Sequence, residues 1–447
     1  MLERFGWQAN RWSCWGVLLV NPESRIPNPE TQAWDLELGI WVLGFMFTVY
    51  SDVMPLDVAA IQESLRSDGL DAWLLYDFHG SNPIAARLAG LNNGAHMTTR
   101  RWYYLIPASG SPRALVHAIE RHNLDALPGN KQIYAGREQL ARGLDELLRG
   151  VRRVAMEYSP QGAIPYLSRV DAGTAELIRS RGVEIVSSGD LVQRFEAAWT
   201  PAQLETHMRA SDALYRIKDR AFDRARSALE RRERITEYDL QQQMVKWFEE
   251  EGLVSDSAPD VALGANAGNP HYLPSKDHSA VITPGQVLLL DLWGKVEQPG
   301  AVFADITWVG FTGSRAPDEA IRAFDAIVRA RDTAVALVEE AALTGRELHG
   351  WEVDRAARAV LEQSGYGDHI LHRTGHSLGE TVHGNGVHLD DYETHDDRRI
   401  LPGTGFTVEP GLYFDTFGVR TEINVFRGDR DVAVSGPRQV ALVTLGT

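Results

Sequence analysis

The sequence predicts two folded units of different class, an α/β domain over residues 54–199 and an α+β domain over residues 200–447. Three observations carry this reading. Helix and strand patterns alternate singly after Met54, a helix start is written at Thr200, and beyond it pairs of long helices alternate with strand hairpins. Residues 1–53 differ in texture: they hold Trp7, Trp12, Trp15, Trp34 and Trp41, and the apolar run over 39–50 is too short to span a bilayer. They read as an extension outside both folded units.

In the first unit, the apolar spacing of residues 56–68 suits a helix that stops at Gly69. The run from Ala72 to Tyr76 then reads as a strand closed by the turn-forming FHGSNP, and residues 151–158 and 182–188 read as further strands. No glycine-rich phosphate loop follows any of them, so a nucleotide site is excluded. The boundary falls at 196–199. There Thr200 stands as an N-cap, Pro201 at the first helical position and Gln203 at the third, opening a helix to about Leu229.

A helix over 236–251 follows, then two strands within 279–313 joined around Gln298, Pro299 and Gly300. Two more helices are predicted over 317–343 and 349–364, the second stopped by Gly365. A second strand pair runs through GFTVEPGLYFDTFGVRTEINVFRG, so the order of elements suggests two similar halves.

Composition narrows the partners. The net charge is -16 and no Lys/Arg block could track a phosphate backbone, which excludes nucleic acid; no run suits a membrane span. Cys14 stands alone, so no intrachain disulfide can form, and a cytoplasmic, reducing location is expected.

The chemistry concentrates late in the chain. HRTGHSLGETVH holds His372, His376 and His383, but Gly375 and Gly379 each cost a helix interior about 1 kcal/mol, so this segment is expected to be extended or looped. Asp291 follows three leucines in a predicted strand, and Asp305 lies on the returning strand. Glu409 and Glu422 repeat the pattern on the second strand pair. Ionised carboxylates on apolar strands need a charge partner or a metal. Four of them with a histidine suit two divalent ions that share bridging carboxylates and a bridging hydroxide as nucleophile. His388 and His395, in a highly charged stretch, are expected to face solvent or make local hydrogen bonds.

GNPHYLP, LLLDLW, FADIT, HRTGHSLG, TVEPGLYF and GVRTEIN, in that order, resemble the signature segments of the metal-dependent Xaa-Pro peptidases, prolidase and aminopeptidase P. The resemblance implies a pita-bread catalytic domain over 200–447, preceded by a creatinase-like domain over 54–199. It implies Asp291, Asp305, His376, Glu409 and Glu422 as the metal ligands. Asp305 and Glu422 would bridge, Asp291 would chelate one ion, and His376 and Glu409 would complete the other. Glu409 would also shuttle the proton, His271 and His383 would donate to the peptide and its tetrahedral intermediate, and His372 and Arg420 would bind substrate. The implied cofactors are two divalent ions, manganese first, with cobalt or zinc able to serve; the implied partner is a small peptide with proline second, and the implied assembly a homodimer.

Two departures stand out. The connection between Asp291 and Asp305 is longer than in the family, and Trp308 stands where arginine is common, placing one surface of the substrate pocket in question. Two other functions compete: the same fold and metals acting on a non-peptide amide or small osmolyte, and an inactive binding protein. The second gives no reason to bury four carboxylates.

Overall fold

In the computed structural model the described residues are 56–92 and 97–446, and the extension expected over residues 1–53 lies outside them. Helix α1 (Val58–Ser67) starts at Asp57, whose Oδ1 accepts the Ala60 N–H at 3.0 Å, and buries Ile61 and Leu65 one turn apart. Strand β1 (Ala72–Asp77) is buried throughout, as suits a central strand covered on both faces. There follow α2 (Pro83–Leu88), β2 (Trp102–Pro107), β3 (Arg113–His117), β4 (Asn130–Tyr134), α3 (Arg137–Leu147), β5 (Arg153–Met156), α4 (Ala172–Arg179), β6 (Glu184–Ser187) and the short α5 (Gly189–Val192). The strands form one mixed sheet ordered β4-β3-β2-β1-β5-β6. Alternate residues feed opposite cores: Trp73, Leu75, Trp102 and Tyr104 pack on one face, Leu74, Tyr103 and Leu105 on the other.

Helix α6 (Pro201–Arg231) opens on the capping box expected from sequence. Gln203 Oε1 accepts the Thr200 N–H at 2.9 Å, and Thr200 Oγ1 accepts that of Gln203 at 3.2 Å. After it come α7 (Glu237–Glu250), β7 (Leu253–Val254), β8 (Asp260–Leu263), β9 (Val287–Val296), β10 (Ala304–Phe311), α8 (Asp318–Thr344) and α9 (Gly350–Gln363). The remaining strands are β11 (Thr404–Val408), β12 (Gly411–Tyr413), β13 (Gly418–Arg420), β14 (Ile423–Arg427), β15 (Val432–Ser435) and β16 (Val443–Thr444).

The main sheet of this half runs β16-β10-β9, with β7 and β8 both pairing the far side of β9; β11-β14-β15 and β12-β13 form two smaller sheets. Period-two alternation divides the main sheet. Leu288, Leu290, Leu292, Ala304 and Ile306 pack toward α6 and α7, while Val287, Leu289 and Val309 pack toward α8. Asp291, Asp305 and Thr307 fall on the α8 side by the same alternation, so an aliphatic layer backs the acidic face. Gln193 joins the halves of the chain, its Nε2 donating to the Arg399 carbonyl at 2.6 Å and its Oε1 accepting the Val387 N–H at 3.0 Å.

Candidate metal centre

The centre is built where two strand pairs meet. Asp291 and Asp305 are supplied by β9 and β10, Glu409 by the turn between β11 and β12, and Glu422 by the residues between β13 and β14. The histidine segment is not helical; it runs extended, with bridges from Gly375 to Leu389 and from Ser377 to Phe406. Gly375 is required there, because a Cβ would overlap the Thr407 carbonyl oxygen.

Asp305, His376 and Glu422 each offer a ligand atom within 4.8 Å of the others, and all three are buried. His376 Nδ1 lies 3.1 Å from the Ser377 carbonyl, to which it donates, so Nε2 turns its lone pair inward. That Nε2 is 3.5 Å from Asp305 Oδ2 and 3.5 Å from Glu409 Oε1. Asp291 joins through Thr307, whose Oγ1 is 2.9 Å from Asp291 Oδ1 and 2.7 Å from Glu422 Oε2. The five residues singled out as ligands thus form one contiguous group.

Its electrostatics call for cations. Burial, with Asp291 beside it, holds the Asp305 carboxyl well above the usual carboxylate range; burial and Asp305 do the same to Glu422. Burial pushes the His376 imidazole down. Asp305 Oδ1 and Glu422 Oε1 are buried without a hydrogen-bond partner among the described residues. Carboxylate oxygens with one imidazole fit divalent ions that favour oxygen, and the two orphaned oxygens are where such ions would be held.

The residues expected to face substrate divide into two sets. His383 stands at the exposed rim, its ring centroid 4.3 Å from that of His376, and His271 lies on the exposed loop between β8 and β9. His372 and Arg420 are instead tied into a buried relay. Arg420 forms an ion pair with Asp291 through Nη2, donates from Nε to Thr307 Oγ1 at 2.9 Å, and donates from Nη1 to Tyr413 Oη at 3.0 Å; that hydroxyl lies 2.7 Å from His372 Nε2. Burial, then Arg420, push the His372 imidazole down to about 4.

Two expectations are corrected. Trp308 does not border the acidic face: it points to the other side of the sheet, with Lys218 Nζ 3.8 Å from its ring centroid and Tyr215 set edge-on. His388 is buried, not solvent-facing. Its Nδ1 accepts the Ser377 N–H at 3.1 Å and its ring packs 4.2 Å from Tyr166, because the charged stretch folds back under the histidine segment. His395 keeps its local bond, with Nδ1 2.7 Å from Asp391 Oδ1. Thr307 and Tyr413 were missed by sequence reasoning. Period-two alternation from Asp305 would have found the first; nothing in the pattern singles out the second.

A pita-bread fold closing on buried carboxylates and one imidazole defines a class, the metal-dependent hydrolases built on that fold. Residues 210–426 match metallopeptidase family M24. The chain is 27% identical to an Xaa-Pro dipeptidase of Lactobacillus helveticus over 52% of this chain and 57% of that one. It is 30% identical to an Xaa-Pro dipeptidase of Lactobacillus delbrueckii subsp. lactis over 36% and 40%. The chain therefore spans about half the length of these relatives. Among solved structures, dipeptidase PepE from Mycobacterium ulcerans superposes with a TM-score of 0.64 at 21% identity, covering 89% of this chain and 99% of that one. The prolidase from Pyrococcus horikoshii OT3 gives 0.56 at 20%, covering 86% and 99%. These likenesses extend the shared fold over both halves of the chain. Among the described residues no helix is long and apolar enough to cross a membrane.

Proposed function

We propose that the chain hydrolyses the peptide bond before proline in small peptides that carry proline second, as an Xaa-Pro dipeptidase or aminopeptidase. One observation carries the reading: Asp305, His376 and Glu422 offer ligand atoms within 4.8 Å of one another, Glu409 lies beside His376 and Asp291 is tied in through Thr307, and Asp305 Oδ1 and Glu422 Oε1 are buried and unpartnered among the described residues. The Xaa-Pro dipeptidase relatives support the substrate class. Two divalent ions, manganese or cobalt in preference to zinc, would supply Lewis acidity and an activated water there. Asp305 and Glu422 would be shared between them, Asp291 would hold one, and His376 and Glu409 would hold the other.

The remaining work falls to the chain. Glu409 holds the proton released at its carboxylate and passes it to the leaving amine. His271 and His383 donate hydrogen bonds to the scissile carbonyl oxygen as charge develops on it. His372 and Arg420, locked together by Tyr413, orient the peptide. The proposal includes a creatinase-like domain over 54–199, a catalytic domain over 200–447, a homodimer and a cytoplasmic setting; the lone Cys14 suits the last.

The test uses protein stripped of metal and refilled with manganese, cobalt or zinc, assayed on Xaa-Pro dipeptides, longer Xaa-Pro peptides, matched peptides lacking proline, and small amides. Metal-dependent cleavage confined to Xaa-Pro substrates is expected. Full turnover without metal, or equal cleavage of peptides without proline, overturns the reading.

A further inference from the structure

Asp260 is a fifth acid beside the cluster, outside the ligand set. It lies on β8 directly opposite Asp291, which in turn lies opposite Thr307 on β10. Antiparallel partners point to the same side of a sheet, so Asp260, Asp291 and Thr307 form one row across three strands. The neighbour Val261 packs the other way, toward α6 and α7. Asp260 is only 4% exposed, and its Oδ1 is buried without a partner among the described residues.

Neither nearby charged group gives it a hydrogen bond. Arg420 commits Nε to Thr307, Nη1 to Tyr413 and Nη2 to Asp291. Glu237, the other buried acid beside it, is fully engaged: it accepts the Leu263 N–H at 2.7 Å, Asn266 Nδ2 at 3.0 Å, Tyr272 Oη at 2.6 Å and the Ala280 N–H at 2.6 Å. Those bonds fasten the loop that carries His271 over the end of β8, which leaves Asp260 as the unsatisfied acid between that loop and the ligand cluster. A buried carboxylate oxygen without a partner is costly, and a cation carried by the substrate would answer it.

We infer that Asp260 is a specificity-determining residue that receives a basic side chain on the residue preceding proline. This rests on the Xaa-Pro reading. The reacting carbonyl must sit at the ligand cluster, and the α-ammonium is only about 2.5 Å from the carbonyl carbon, so it stays beside the cluster's own acids. Asp260 is one strand further out, about 4.8 Å along the sheet, within reach of a lysine or arginine side chain and beyond that of the α-amine.

The test compares Lys-Pro with norleucine-Pro, and Arg-Pro with citrulline-Pro, on the metal-loaded protein and on Asp260→Asn, with bound metal measured by elemental analysis. The wild type is expected to favour the charged member of each pair in kcat/KM by about 30-fold or more. Asp260→Asn should reduce that ratio to near one, leave the neutral substrates and the metal content unchanged, and keep the melting temperature at or above wild type. Equal use of charged and neutral substrates by the wild type overturns the inference, as does loss of metal in the variant, which would make Asp260 a ligand. If the loaded wild type cleaves no Xaa-Pro substrate, the functional reading fails separately. Calorimetric binding of the same four dipeptides to both proteins then decides Asp260: tighter binding of the charged members that vanishes in Asp260→Asn sustains it, and no difference overturns it.

Discussion

Replacing Thr307 by valine would test whether the acidic cluster is preorganised for metal. The side chains are nearly equal in volume and Thr307 is fully buried, so the change opens no cavity and removes only a hydroxyl. That hydroxyl touches three charged groups: Asp291 Oδ1 at 2.9 Å, Glu422 Oε2 at 2.7 Å and Arg420 Nε at 2.9 Å. Its one proton serves a single carboxylate at a time, while its lone pairs accept from Arg420. Hydrogen bonds to charged groups contribute about 1.5–3 kcal/mol each. Loss of a group that holds ligating carboxylates typically weakens metal affinity about 10- to 100-fold. Thr307→Val is therefore expected to raise the manganese dissociation constant within that range, equivalent to about 1.4–2.7 kcal/mol. Thr307→Ser should restore most of the affinity. Calorimetric titration of metal-stripped protein reads the constant directly. An unchanged constant in the valine variant would refute the claim that Thr307 holds the cluster in shape.

Two further outcomes are expected. His376→Ala should lose bound metal together with rate, whereas His383→Ala should keep its metal and lose about 10² to 10³ in kcat/KM; elemental analysis beside steady-state kinetics separates them, and a His383 variant depleted of metal would reverse the assignment. His207 concerns stability: its ring lies 2.8 Å from both the Phe303 carbonyl and Ser435 Oγ, and burial pushes its pKa down to about 4 from 6.5. Below 6.5 the unfolded chain takes up a proton that the folded chain refuses until about 4, so acid favours unfolding across that window, by about 2 kcal/mol between about pH 7 and pH 5. His207→Asn should flatten the dependence of melting temperature on pH over that interval, and an unaltered slope would show that other groups set it.

The parts legible in the sequence share one property: local pattern and tertiary role agree. Thr200-Pro201-Ala202-Gln203 writes a helix start that the structure uses, and the leucines before Asp291 announce a strand whose polar exception must be explained. Strands β2 to β4 escaped notice for different reasons. The segment WYYLIP is apolar at nearly every position because it is covered on both faces, so it has no alternation to read, while β4 lies at the sheet edge with a largely polar sequence. Asp260 and His388 were illegible for a third reason. Each sits among residues that look like a surface stretch, and only the register of β8 on β9 and the fold-back beneath Ser377 reveal that they are buried.

The two unpartnered oxygens, on Asp305 and Glu422, reach beyond catalysis. A folded chain that crowds acids at its centre carries an internal load which cations lift, so occupancy and durability become one variable. At free ion 100 times the dissociation constant, each filled position adds about 2.7 kcal/mol to the folded state. A gain of that size lowers the unfolded fraction open to proteases about 100-fold. The lifetime of the protein would then serve as a gauge of the metal supply around it.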